Sequence, residues 1–349
     1  MLQDKTIHNQ TSELLEKKPR QLFKAITGYV FAVICLFWVF YNIHIEKLLH
    51  QITNVKLDWI LAAMFFDTLS YFSQGLRWHY LLRPIGKISP FKTTQAIYAG
   101  LFTNEIIPFR AGELVRAFLV SSWQKITFFS VIPSMVIERF FDGIWLCIGL
   151  GITAIFIDLP GNLMKATDIL GIIILITTFT IIYLIFKKEK KLESGIDHGK
   201  NRWKPIKKIL DFLEQFANGI RTIGISGNFY YSLFFSSLIL IFQMIAFWMV
   251  LIAYHLDLTI WQGAVILLIV HFGTALPNAP SNIGSFQFFC VLGLSLFGIG
   301  KTTAAGFSVV VFIVLTIPLW ILGLIAIIKT DMSFKEIRLQ ISRLKLNQS

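Results

Sequence analysis

Apolar residues run through this chain in long blocks, and the polar residues are gathered into short gaps between them. Thr222 to Leu256 holds no acid or base except His255, and Leu258 to Gly300 holds none except His271. Thr302 to Ile328 adds 27 uncharged residues. A helix of about 20 apolar residues crosses a bilayer, so each block is long enough to span. The pattern predicts full spans at 25–42, 59–82, 129–157, 167–186, 229–254 and 302–328. Two further apolar stretches, 93–122 and 260–298, are broken by Pro, Gly, Asn and charge. Pro108 stands in the middle of the first, and Pro277 and Pro280 in the middle of the second. The expected fold is an all-α polytopic membrane protein with about six full spans and two broken or re-entrant helical segments. No small-x-small cleavage site follows the first run, which therefore reads as a retained span rather than a signal peptide.

Charge orients the spans. Residues 1–24 carry +2, 83–125 carry +4, 187–208 carry +6 and 329–349 carry +3, whereas 42–58 carry 0 and 158–168 and 255–262 carry −1 each. Basic segments stay on the cytoplasmic side, which predicts cytoplasmic N- and C-termini. Residues 83–92 and 123–128 then share one side, so 93–122 has to enter and return. By the same parity, 260–298 dips in from the outer side or crosses twice. Broken backbone at membrane depth is tolerated where protein or a water-filled cavity surrounds it. One interrupted segment in each half, entered from opposite faces, is the pattern of an inverted-repeat transporter. The chain thus reads as one integral membrane domain, with halves 1–186 and 205–349 joined by the basic loop 187–208. After the loop, Ile209, Leu210, Leu213, Phe216, Ala217 and Ile220 follow helical spacing, which suits either an interfacial helix or a connector packed on the bundle.

Composition agrees with this class: 55% of residues are AVILMFWYC, only 15% are charged, and Phe occurs 33 times. Net charge is +12, but the basic residues sit in the gaps between spans, so their placement argues for membrane topology and against nucleic acid. Cys35, Cys147 and Cys290 lie far apart inside apolar runs, with neither disulfide nor metal-ligand spacing. No cofactor, metal or catalytic motif is expected; GxSxG, P-loop, GxGxxG, HExxH and DxD are all missing from the sequence.

The candidate chemistry is concentrated in Asn104-Glu105-Ile-Ile-Pro108-Phe-Arg110-Ala-Gly112-Glu113-Leu-Val-Arg116 and, in the next apolar run, Glu138, Arg139 and Asp142. Pro108 suits a helix start, and Arg110, Glu113 and Arg116 then share a broad face at i, i+3, i+6. Glu138 and Asp142 share a face at i, i+4. Arg110, Arg116 and Arg139 balance Glu113, Glu138 and Asp142. Charges in the hydrocarbon region are expensive and tend to pair. Two readings stay open: a polar cavity whose arginines grip a lipid phosphate, or an ion-pair network that locks helices together. Arg77 and Asp67 in the second span either pair locally or extend the cavity. His271 reads as a hydrogen-bonded core residue before a proton carrier. The stretch Pro277-Asn278-Ala279-Pro280-Ser281-Asn282-Ile283-Gly284-Ser285-Phe286-Gln287 marks a non-helical bend with exposed backbone groups, or a plain loop between spans.

The N…P-x-R-x-G-E-x-x-R string from Asn104 to Arg116, followed by Glu138-Arg139-Phe-Phe-Asp142, resembles the lysylphosphatidylglycerol synthase transmembrane-region family. Arg77-Trp78 and Pro277…Pro280…Gly284 agree with it. The resemblance implies a helical bundle with broken helices lining a lipid-accessible cavity, and a role in moving or handling a charged lipid. Members act on aminoacylated phospholipids or are proposed to act on polyprenyl-phosphate sugars. In bifunctional relatives a soluble C-terminal domain makes the aminoacyl lipid; Ser349 lies about 20 residues past the last span, so that domain is not expected here. Ser281-Asn282 stand where the family has a glycine pair, and Gln287 where it has Glu, which removes a candidate cation or proton site.

The expected function is a flippase-like transporter of a lipid with an anionic or aminoacylated headgroup, or of a polyprenyl-phosphate-linked sugar. The expected substrate-binding residues are Asn104, Arg110, Glu113, Arg116, Glu138, Arg139, Asp142 and Arg77. Pro108, Gly112, Pro277, Pro280, Gly284 and Gln287 are expected to shape the breaks. The competing readings are a non-catalytic partner of an envelope-lipid synthase or glycosyltransferase, and a membrane-embedded transferase using Glu113 or Asp142 as base.

Overall fold

The computed structural model describes residues 27–107, 111–157, 227–275 and 279–330, with Ile223 and scattered positions between 161 and 176. Every regular element among them is helical. The expected span 167–186 falls largely outside the described residues, and the loop 187–208 and the amphipathic stretch 209–221 lie wholly outside them. So do Pro108, Arg110 and Pro277.

Helix α1 (Thr27–Phe40) turns by 92° into α2 (Ile45–Thr53). Asn42 makes the corner with a left-handed φ of 57°, a conformation that asparagine tolerates better than most residues. The segment 42–58, whose charges balance, lies between expected spans, and the structure fills much of it with α2. Ile45, Leu48, Leu49 and Ile52 recur there at helical spacing, with Leu48 buried and Gln51 Nε2 donating to Thr303 Oγ1 at 3.2 Å. The remaining helices are α3 (Leu57–Leu82), α4 (Pro90–Ile106), α5 (Ala111–Gln124), α6 (Phe128–Phe156), α7 (Gly227–Ala253), α8 (Ile260–Thr274), α9 (Ser285–Ser295) and α10 (Lys301–Ile328). The spans expected at 59–82, 129–157, 229–254 and 302–328 match α3, α6, α7 and α10 to within two residues. Of these, α6, α7 and α10 are long and apolar enough to cross a membrane unaided. Helix α3 has similar length but carries Asp67 and Arg77.

The broken stretch 93–122 is a helical hairpin. Ser89 accepts the Lys92 N–H at 3.3 Å and Pro90 opens the first turn of α4, a regular N-terminus. After the break, α5 folds back along α4 with Gly100 and Gly112 face to face. A Cβ on Gly112 would run into the Gly100 carbonyl oxygen, and one on Gly100 would come within 2.7 Å of the Gly112 oxygen. Asn104 Oδ1 accepts the Gly112 N–H at 2.8 Å, satisfying a donor in the first turn of α5. The second broken stretch is also a hairpin: α8 and α9 pack together across a 3-10 turn, Pro280–Asn282.

The two halves pack alike. Helices α3 and α7 run antiparallel along their lengths. The Lys56 N–H reaches the Ala253 carbonyl at 3.0 Å, Phe66 and Phe242 rings lie 6.0 Å apart, and Ser232 Oγ donates to the Arg77 carbonyl at 3.0 Å. Tyr80 stacks on Tyr231 at 5.1 Å. Helix α4 packs on α10 as α8 packs on α6; α4 meets α3 as α8 meets α7; α5 meets α6 as α9 meets α10. This is how the halves of an inverted repeat pair. One apolar core joins Val39, Ile60 and Ala63 to Phe247, Val250 and Phe307. A second gathers Trp78, Leu81, Ile97, Leu119 and Phe141. The six paired charges described below belong to neither.

The glycine contact gives a direct test. Gly112→Ala should lower stability by about 1–3 kcal/mol, the usual penalty of overpacking, whereas Gly151→Ala, where a Cβ meets nothing within 4 Å, should leave it within about 0.5 kcal/mol. Unfolding of the detergent-solubilised protein followed by tryptophan fluorescence reads both.

Candidate functional site

Three helices bring six charges together. Helix α3 supplies Arg77, α5 supplies Glu113 and Arg116 one turn apart, and α6 supplies Glu138, Arg139 and Asp142. Glu138 is the centre. Its Oε1 lies 3.3 Å from Arg77 Nη2 and its Oε2 2.7 Å from Arg116 Nη2, with the carboxylate side chain only 1% exposed. Arg77 Nη1 also reaches Asp142 Oδ1 at 2.5 Å, and Arg139 Nη1 reaches Asp142 Oδ2 at 3.2 Å. Arg139 closes the set on Glu113. The Arg116 guanidinium lies 4.8 Å from the centre of the Trp78 ring, whose Nε1 donates to Ser134 Oγ at 2.9 Å.

Burial divides the set. Arg77, Arg116 and Glu138 are interior, whereas the Arg139 side chain is 51% exposed, Asp142 39% and Glu113 27%. All except Glu138 line one cavity of about 600 Å³, together with Asn104, Gly112, Trp145, Ser236, Gln243 and His271. Two donors on its wall, Arg116 Nε and Trp145 Nε1, are buried with no hydrogen-bond partner among the described residues.

The balanced set differs from the expected one in a single member. Arg77 occupies the place given to Arg110, which lies outside the described residues. The local pair between Arg77 and Asp67 does not form: ten residues put them about 15 Å apart along a helix, and Arg77 pairs with α6 instead. Asn104 lines the cavity, but its side chain is engaged at the start of α5.

The second break meets the first. Ser281 Oγ donates to the Glu105 carboxylate at the end of α4, and Trp320 Nε1 donates to Glu105 Oε2 at 3.1 Å. Ser281 and Asn282 have φ of 57° and 52°, and Gly284 has φ of 87° with the Ala32 backbone against it. A glycine pair at 281–282 adopts that left-handed backbone without strain, and Asn is among the residues that tolerate it best. Pro280 opens the turn. Gln287 is buried, and its Oε1 accepts the Gly284 N–H at 2.7 Å, so it secures the turn.

Sequence reasoning missed Ser232, Ser236 and Gln243. The signal was present: in an otherwise apolar span they recur at i, i+4, i+11, one stripe of α7. Ser236 Oγ stands 3.5 Å from Arg77 Nη1. The engagement of Glu105 by Ser281 and Trp320 joins residues 176 and 215 positions apart and had no local signal.

Helices long enough to span, two hairpins joined at their breaks and a charged cavity define a multi-pass helical membrane protein with an internal polar chamber. The chain belongs to the family described as the lysylphosphatidylglycerol synthase TM region, whose pattern it matches over residues 25–323. It is similar to UPF0104 membrane protein MJ1595 of Methanocaldococcus jannaschii, 24% identical over 308 residues, covering 84% of this chain and 92% of that protein. It is also similar to a part of Glycosyltransferase AglD of Haloferax volcanii, 24% identical over 147 residues, covering 42% of this chain and 24% of that protein.

The burial division predicts unequal consequences. Glu138→Ala leaves two buried guanidiniums short of a partner and should cost about 3–5 kcal/mol. Glu113→Ala removes a partly solvated pair and should cost under about 1 kcal/mol. Chemical denaturation of the two variants in one detergent compares them directly.

Proposed function

We propose that the chain translocates a lipid with an anionic, phosphate-bearing headgroup across a prokaryotic cytoplasmic membrane. The observation that carries this reading is that the half-exposed Arg139 and the buried Arg116, whose Nε has no hydrogen-bond partner among the described residues, line one headgroup-sized cavity. A phosphate takes guanidinium hydrogen bonds bidentately. Glu113 and Asp142 hold Arg139 in place and yield part of its donor fork to the incoming oxygens, while Glu138 keeps Arg77 and Arg116 aimed. The three arginines and three carboxylates among the described residues cancel. Arg110, next in sequence to the first residue of α5, adds the positive charge that one phosphate requires. The acyl tails stay in lipid as the headgroup moves between the hairpin breaks.

An aminoacylated phospholipid or a polyprenyl-phosphate sugar satisfies the same phosphate chemistry. The family name favours the first and the similarity to a glycosyltransferase-named protein the second. That similarity also supports a second reading, in which the chain is the membrane partner of an envelope-lipid synthase or glycosyltransferase and moves nothing itself.

Proteoliposomes with fluorescent phosphatidylglycerol, lysyl-phosphatidylglycerol or a polyprenyl-phosphate sugar separate the readings. Wild type should translocate at least one of them, and Arg139→Ala and Arg110→Ala should slow it at least tenfold while unfolding near the wild-type temperature. Well-folded protein that moves none would favour the partner reading. For orientation, a cysteine placed at Lys200 should react with an impermeant maleimide only from the cytoplasmic side; labelling from outside would invert the topology.

A further inference from the structure

Beyond the arginine chamber lies a smaller cavity of about 200 Å³, lined by Asp67, Tyr71, Glu105, Gln243, His271 and Thr316 among others. Tyr71, Gln243 and His271 line both cavities, so the two share a wall. The smaller chamber holds the opposite chemistry: among the described residues its lining has two carboxylates and no arginine or lysine. Glu105 is held by Ser281 and Trp320. Asp67 has no such contact to its Oδ2 among the described residues. It is 3% exposed, and it makes no ion pair among them.

Among the described residues, no arginine or lysine faces Asp67. Its own helix presents Tyr71, α4 presents Tyr98 and Glu105, α8 presents His271, and α7 presents the neutral Gln243. Helix α10 presents Thr316 and apolar residues from a stretch without any charge. The Tyr98 hydroxyl is itself buried and has no hydrogen-bond partner among the described residues. A bare carboxylate in such surroundings carries a large desolvation penalty, and capture of one proton removes it.

We propose that the smaller cavity is a proton-binding site with Asp67 as its acceptor, and that uptake and release of this proton accompany headgroup movement in the adjoining arginine chamber. The step is the joining of one proton to one carboxylate oxygen and its later return to water, with no other reactant. Placement supports the second clause. Asp67 and Arg77 stand on the same helix, and the shared wall passes through His271, so the proton site and the phosphate site border one polar interior. Coupling rests on the transport reading above; the site itself does not.

Infrared difference spectroscopy of the purified protein in lipid nanodiscs tests the site without any transport. A protonated-carboxyl band should be present at acid pH and disappear as pH rises. Carbon-isotope-labelled aspartate should shift it in the wild-type protein, which requires no variant to fold. Asp67→Asn should remove the band and Glu105→Gln should retain it. Absence of the band at every pH, its persistence in Asp67→Asn, or its loss on adding sodium at fixed pH would overturn the proposal, the last by assigning a metal cation. In proteoliposomes, a pH gradient should change the wild-type translocation rate severalfold and leave that of Asp67→Asn unchanged; equal responses would overturn the coupling. A titrating aspartate band in protein that moves no lipid would leave the site standing and defeat the transport reading instead.

Discussion

Glu138 is the fixed point of the bundle. One interior carboxylate serves guanidiniums from α3 and α5 at once. In a hydrocarbon setting, none of these three charges is tolerable without the others. The register of α3, α5 and α6 is thereby tied to a single side chain. Apolar packing alone leaves helices free to slide, since lipid tails are as apolar as leucine. A buried carboxylate paired with guanidiniums from two other helices does not permit that. The more exposed pairs around Arg139 lie at the cavity face, while Arg77 and Arg116 are held by the buried Glu138.

The same logic applies where α4 ends and α5 begins. The backbone groups of a helix end need partners from outside the helical ladder. Asn104 supplies an acceptor to the start of α5, and the bare faces of Gly100 and Gly112 let the arms come close enough for that bond. At the other break, Gln287 serves the Gly284 N–H, while Ser281 caps the scheme by reaching Glu105 across the interface. Each hairpin is stabilised by its own amide, and the two are joined through one carboxylate.

Much of this was legible in the sequence because the membrane punishes charge so heavily. Arg116, Glu113, Glu138, Arg139 and Asp142 stand out in apolar runs, and their balance of sign anticipated pairing. The breaks announced themselves through Pro, Gly and amide residues. What stayed hidden depended on which helix lies beside which. Arg77 and Asp67 could pair on their own helix or extend the cavity; antiparallel packing against α7 and proximity to α6 take Arg77 to Glu138 and Asp142, and Asp67 makes no ion pair among the described residues. Helix α2 was hidden for another reason: a short amphipathic turn of chain beside α10 carries no span-length signal. The glycine-like backbone at Ser281 and Asn282 was visible only as a departure from the family pattern.

The matched packing of the two halves does not extend to their chemistry. All six paired charges come from α3, α5 and α6, and their counterparts α7, α9 and α10 carry none in the described interior. Shared packing with unlike chemistry means that exchanging the halves is not an indifferent change. In the transporter proposed above, two shapes open to opposite sides would differ chiefly in how well the water on each side solvates that one cluster of arginines and carboxylates.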